Sequence, residues 1–323
     1  MPEFKSVLAP WIESFIVEKQ AVGYKYQEET RSMRRFDDFC IAREHSEPAL
    51  TKELVWAWAR KREHESDKSQ RTRACTIRQF GKYLMRIGQP AYVYPIGVDR
   101  PVQKKFVPYI FSEKELAAFF SQVDQCQPIA TSPQRHLVLP LLFRMLYGCG
   151  LRISEALALK VSDVNLQDGV LTIAGSKFGK DRIVPLCSSL HVKCLEYAEQ
   201  VHGRSGQDAP FFPTSHEKSL HMRCAYAYYR RFLWAADISH GGRGKGPRLH
   251  DLRHTFAVHS LKRFVANGDD LLAMLPRLSA YLGHIGLDST QHYLRLCADV
   301  FPQVAASVEN TFGSMIPEVT VYE

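Results

Sequence analysis

The sequence predicts a mainly α protein with one small antiparallel β-sheet, an α+β chain in two parts, and three observations predict it. Apolar residues recur at helical spacing along most of the 323 residues. One stretch alone, 164–186, breaks into short β-type runs joined by Gly-containing turns. A Pro-rich stretch from Gln89 to Pro108 shows neither period and marks a boundary.

In the first part, Leu8, Trp11, Ile12, Phe15 and Ile16 stripe a helix over 5–19 that Gly23 stops. Met33, Phe36 and Phe39 stripe a second over 27–43. Thr51 is placed to cap a third, with Leu54, Val55 and Trp58 inward, and Ile77, Phe80, Leu84 and Ile87 mark a fourth ending at Gly88. Residues 1–90 are therefore expected as a four-helix bundle. Arg71, Arg73, Arg78 and Lys82 crowd the fourth helix and are candidate DNA contacts, against the plainer reading of a solvated face. Residues 91–110, with Lys104 and Lys105, are expected as an extended basic linker.

The second part is expected over 111–298. Ser112 and Glu115 have the spacing of a capping box. A strongly apolar helix over 132–147 ends in Gly148-Cys149-Gly150 and delivers Arg152 to the start of another helix, where a cation opposes the helix dipole and needs a reason. Strands are expected at Val164 to Leu166, Val170 to Ile173 and Arg182 to Leu186, the last two flanking a hairpin that carries Lys177. Helices follow over 188–202, 217–236, 251–267, 271–283 and 288–297, interrupted by a Gly-rich loop whose Arg243 and Lys245 are further candidate DNA contacts. Phe301, Val304, Val308 and Phe312 give the tail, 299–323, helical spacing suited to folding back or to exchange with a neighbour.

The net charge of +8 is uneven. Residues 1–105 hold 20 Lys and Arg against 14 Asp and Glu, whereas the remainder holds 22 against 20. Such an excess suits a polyanion, with nucleic acid first to test. Eight cysteines without a C-x-x-C pair read as reduced core thiols. No run approaches a membrane span or a signal peptide, so the expected location is the cytoplasm.

Several chemistries fail on the residues. The loop at 241–246 lacks the order of a phosphate-binding P-loop, so no nucleotide cofactor is expected. His250 and His254 lie at i and i+4 without H-E-x-x-H or an evident third ligand, so no metal is expected. Cys149 has no activating partner in sequence. What remains is Arg152, Lys177, His250, Arg253, His284 and, nine positions after His284, Tyr293. Two guanidiniums suit the non-bridging oxygens of a phosphodiester, and a phenol with an ordinary pKa near 10 needs a base to become a nucleophile. His250 suits that base and Lys177 the acid for the leaving alkoxide, while covalent capture of the phosphate keeps the bond energy for rejoining.

These residues resemble the tyrosine recombinase, or phage integrase, family: Arg152 in G-L-R-I-S-E, Lys177 in the hairpin, His250 and Arg253 in H-x-L-R, His284 in L-G-H, then Tyr293. The resemblance covers about 110–300, and the basic bundle is similar to the core-binding domain of such enzymes. It implies a site-specific recombinase acting on double-stranded DNA through a 3′-phosphotyrosyl intermediate without metal or ATP. Arg152, Arg253 and His284 would hold the phosphate, with His250 assisting proton transfer. It also implies a homotetramer on two duplexes, accessory proteins, and a nucleoid location in a prokaryote.

The chain departs from the family pattern in places. Ser176 and Phe178 surround Lys177, which leaves Lys180 a rival acid. Arg253 and His284 lie 31 residues apart, with 267–270 as the expected insertion, which favours a mobile-element recombinase. Glu155, His254, His259 and His292 read as structural. The alternatives kept beside recombination are a type IB topoisomerase-like relaxation and a non-catalytic DNA-binding regulator.

Overall fold

Helix caps and turn glycines set the helix ends within the first unit, Met1–Phe106. The computed structural model describes residues 3–24, 26–98, 107–175, 181–216, 218–241 and 246–284, with Gly286, Thr290, Tyr293, Leu294 and Leu296. The first unit contains α1 (Ala9–Ala21), α2 (Gln27–Ala42), α3 (Lys52–Ala59) and α4 (Asp67–Arg86). Thr51 accepts a hydrogen bond from the Leu54 amide at the start of α3, a contact worth about 1 kcal/mol. Phe80 of α4 meets Phe15 of α1 and Phe36 of α2 at ring distances of 5.5 and 6.4 Å, and Trp58 of α3 closes on Phe36.

The expected linker is shorter than 91–110. Ala91 bridges Leu50, the Tyr92 amide donates to the Leu50 carbonyl, and Tyr94 is buried in the first core. At the other end Ile110 packs in the second unit and the Phe111 amide donates to Thr255 Oγ1. Apolar side chains thus draw each described flank into the core of its own unit. Lys104 and Lys105 lie outside the described residues.

The second unit, Val107–Glu323, carries α5 (Glu113–Asp124), α6 (Arg135–Gly148), α7 (Ile153–Ala158), β1 (Val164–Asn165), β2 (Val170–Ile173), β3 (Arg182–Pro185), α8 (Ser188–His202), α9 (Met222–Ala235), α10 (Asp251–Ala266) and α11 (Leu271–Leu282). The sheet is antiparallel in the order β1-β2-β3, with Ile173 opposite Arg182. The capping box at Ser112 and Glu115 forms in full. Phe119 is the hub of the core, meeting Phe111, Phe143, Tyr229 and Phe232.

Residues 267–270 form a tight turn. Gly268 takes a positive φ of 75°, and Asp270 caps the Leu272 amide. The long interval between Arg253 and His284 is therefore carried by the two helices α10 and α11. The expected helix over 288–297 and the tail 299–323 lie largely or wholly outside the described residues. No helix among the described residues is long and apolar enough to cross a membrane.

Candidate active site

The site is built around the C-terminal end of α11, where helix geometry leaves carbonyls without intrahelical partners. Gly283 takes the left-handed conformation at φ 67° and ends the helix. Its amide donates to Ala280 and that of His284 to Ser279. The next three carbonyls in sequence are each taken by a different arginine. Arg182 Nε donates to Tyr281 O at 2.9 Å, Arg253 Nη2 to Leu282 O at 2.5 Å, and Arg152 Nη2 to Gly283 O at 3.2 Å. Guanidiniums are favoured there because the helix end carries partial negative charge.

One carboxylate binds the cluster from the opposite side. Glu155 accepts from Arg152 Nη1 at 2.6 Å and from Arg182 Nη1 and Nη2 at 3.1 and 2.9 Å, and lies 4.0 Å from Arg253 Nη1. Burial pushes its carboxyl up, yet the bonds and charge of Arg182 and Arg152 outweigh burial and lower it to about 2. Three guanidiniums thus share one carboxylate, and this local excess of positive charge suits an anion.

Arg152 stands at the N-cap of α7, not within its first turn, and its amide donates to Glu155 Oε2 at 2.9 Å. The third residue of the helix therefore supplies the carboxylate that offsets the dipole conflict. Gly150, at φ 58°, makes the turn before it, and a Cβ there would lie 2.6 Å from Phe256 Cδ1 and 2.8 Å from Leu282 Cδ2. Its carbonyl accepts from Arg253 Nη1 at 2.7 Å.

Arg253 lies three residues into α10, at 1% exposure. Burial and then the charge of Arg152 lower its guanidinium to about 10, so it remains a cation at neutral pH. His284 is lowered to about 4 by burial and by Arg253, Arg152, His250 and Arg182, and its Nδ1 is 2.8 Å from Thr290 Oγ1. His250, the N-cap of α10, is also lowered to about 4, by burial and the charges of His254, Arg253 and Arg152. The neighbouring charges of His254, Arg253 and Arg152 thus act in the same direction as burial on the His250 imidazole.

Tyr293 is buried at 2% exposure. Burial raises its phenol above the usual value, while Arg253, by charge and hydrogen bond, and Arg152 act to lower it. His254 Nδ1 is 3.0 Å from the phenol oxygen, and the His250 ring meets His254 edge-on at 4.7 Å. His284 lies over the Tyr293 ring at 6.1 Å with an interplanar angle of 25°.

Five of the six expected catalytic residues, Arg152, His250, Arg253, His284 and Tyr293, thus belong to one connected cluster. Lys177 and its rival Lys180 lie outside the described residues, as do Arg243, Lys245 and His292. His254, read from sequence as packing, is at the phenol. Arg182 and Thr290 were missed; the signal for Arg182 was an arginine in phase with the inward-facing Val184 of β3. Cys149 is buried, and burial pushes its thiol well above the usual range, so it packs and does not react.

The basic residues of α4 need correction. Arg73 is buried, its Nε and Nη2 on both oxygens of Glu65 and its Nη2 also on the Arg60 carbonyl, so its charge is paired within the fold. Arg78 spends Nε and Nη2 on the Tyr94 and Pro95 carbonyls, both at 2.8 Å, and staples that segment to α4. Lys82 is exposed and Arg71 half-buried, on the same helix face.

The phage integrase family model matches residues 111–298, the stretch that contains the whole cluster. The putative integrase/recombinase y4rB of Sinorhizobium fredii is 31% identical over 290 residues, 88% of this chain and 91% of that one. Tyrosine recombinase XerA of Pyrococcus furiosus is 34% identical over 179 residues, 54% of this chain and 56% of that one. Among solved structures, XerH site-specific recombinase in a post-cleavage complex with its difH substrate gives a TM-score of 0.64 at 16% identity, covering 95% of this chain and 98% of that one. The Tn1549 transposon integrase with transposon right end DNA also gives 0.64 at 16%, covering 93% and 98%. These two show likeness of fold. The family match over more than half of the chain and the y4rB similarity across most of it show that the chain belongs to the phage integrase family, the tyrosine recombinases that cleave and rejoin DNA strands.

Proposed function

We propose that this chain is a site-specific recombinase of a mobile element in which Tyr293 is the nucleophile. The observation that carries the reading is the cluster itself, a buried phenol under the charge of Arg253 and Arg152, which share one carboxylate with Arg182. Arg152 and Arg253 hold the non-bridging oxygens of the scissile phosphate, with His284 beside them, and offset the charge that grows as a fifth oxygen arrives. The Tyr293 oxygen forms a bond to phosphorus as the bond to the 5′ oxygen breaks, leaving a 3′-phosphotyrosyl link and a free 5′-hydroxyl. The phenol proton passes to His254, whose Nδ1 is 3.0 Å away, with His250 behind it. That moves the role from His250 to its neighbour one helical turn along. Lys177 supplies the proton for the leaving oxygen.

The N-terminal unit serves as a DNA-binding module through Lys82 and Arg71, together with Lys104 and Lys105 of the connecting segment. Four protomers on two duplexes, with the tail passed between them, make the working assembly at the nucleoid.

Covalent capture tests the reading. A pool of nicked duplexes with randomised sequence, incubated with the full chain, should yield an SDS-resistant adduct whose trapped ends share a sequence. Tyr293→Phe should abolish it. An adduct that persists in that variant, or trapped ends without common sequence, would refute the assignment.

A further inference from the structure

Arg182 is not a member of the expected catalytic set, yet it joins that set's two halves. It opens β3, faces inward in phase with Val184, and its side chain is 9% exposed. Its three nitrogens serve two partners. Nε takes the Tyr281 carbonyl at 2.9 Å, and Nη1 and Nη2 take the two oxygens of Glu155 at 3.1 and 2.9 Å. Gly283 packs so closely that a Cβ there would lie 2.9 Å from Arg182 Nη1, so the guanidinium also fills the space left by the absent side chain.

We propose, resting on the recombinase reading, that Arg182 is a positioning residue for strand cleavage, which fixes Arg152 through the Glu155 carboxylate and the turn bearing His284 through the Tyr281 carbonyl.

The physical argument concerns what the neighbours do without it. Glu155 already lies 4.0 Å from Arg253 and is bonded to Arg152. Removing Arg182 frees that carboxylate to close on either guanidinium, and a guanidinium engaged by a carboxylate is a poorer clamp for phosphate. The Tyr281 carbonyl loses its partner at the same time, one residue before the carbonyls that hold Arg253 and Arg152. Lysine cannot replace the fork, since one ammonium has no rigid set of three directions. DNA affinity is spread over many phosphate contacts, whereas catalysis depends on sub-ångström placement. Loss of Arg182 should therefore slow cleavage while leaving binding almost unchanged.

The test uses the full chain and a duplex recovered by covalent capture on it. Arg182→Gln should form the phosphotyrosyl adduct about 100-fold more slowly in single turnover, with duplex affinity within about 3-fold of the parent. Arg182→Lys, which keeps the charge, should fall between the two. Glu155→Gln should also slow cleavage, and the double variant should be no slower than the slower single one, because the two act as a unit. Parent-like cleavage by Arg182→Gln would overturn the proposal. So would losses that multiply in the double variant, or losses in both Arg182 variants that track a fall in melting temperature and DNA affinity. Failure of the parent chain to capture any duplex on Tyr293 would instead count against the recombinase reading.

Discussion

Arg73 of the first unit and Arg253 of the second are both buried arginines, 7% and 1% exposed, and they have opposite electrostatic lives. Arg73 has a carboxylate of its own: Glu65 meets it with both oxygens at 3.2 and 2.5 Å, and the Trp58 ring lies 5.3 Å from its carbon. Arg253 bonds two carbonyls, has a share of Glu155 at 4.0 Å, and is crowded by Arg152 and Arg182. The first arginine is neutralised and belongs to the fold. The second is held in place without being neutralised, which is what an anion site requires. Burial alone does not separate structural from functional arginines; the local ratio of guanidinium to carboxylate does.

The sharpest way to break this contrast is to spoil the clamp and keep its charge. Arg253→Lys should slow adduct formation by about 100- to 1,000-fold, because lysine cannot reproduce the fork. Single-turnover capture on a selected duplex reads it, and a loss below about 10-fold would mean that Arg253 does not grip the phosphate.

Arg73→Met should have the opposite profile. Leaving the half-buried Glu65 without its partner should cost about 2 kcal/mol in a denaturant titration, while cleavage per folded molecule stays at the parent rate. If cleavage falls and stability holds, Arg73 is a DNA contact after all.

This contrast also marks how far the sequence was legible. The helices announced themselves by periodicity, and Ser112 with Glu115 and Thr51 by cap spacing, because those are local properties. Arg152, Arg253, His284 and Tyr293 could be named because each sits in a short recognisable string. Arg73 was misjudged because Glu65, which neutralises it, is eight residues away in a loop before α4, and nothing in the helix pattern shows the pairing. Arg182 was missed for a related reason. Its partners are Glu155 and Tyr281, 27 and 99 residues distant, and only the folded chain brings them together. His254 stood in plain view beside Arg253, but which of two neighbouring histidines meets the phenol is a matter of helix phase and rotamer.

A smaller effect separates the two sites by pH. In the unfolded chain His284 titrates near its ordinary 6.5, whereas in the folded chain burial and the surrounding Arg253, Arg152, His250 and Arg182 lower it to about 4. Between those values the unfolded chain takes up a proton that the folded chain refuses, so this stability is present above 6.5 and lost as pH falls through about 4. Glu65 behaves differently. Burial raises its carboxyl, but bonds from Arg73 and the Arg62 amide and the charges of both arginines hold it below its ordinary 4.5, so its contribution is lost only in stronger acid. Denaturant titrations from pH 7 to 5 should therefore sense the second unit's site and not the Arg73 pair. His284→Asn should make the slope in that range shallower, leaving the share of His250, which is lowered to about 4 as well, and Arg73→Met should lower the curve without changing its slope. Inorganic sulfate, bound among Arg152, Arg253 and His284, should make the parent slope shallower, since an anion beside the imidazole favours its protonated form. An unchanged slope in His284→Asn would show that the excess positive charge around α11 is compensated by other groups.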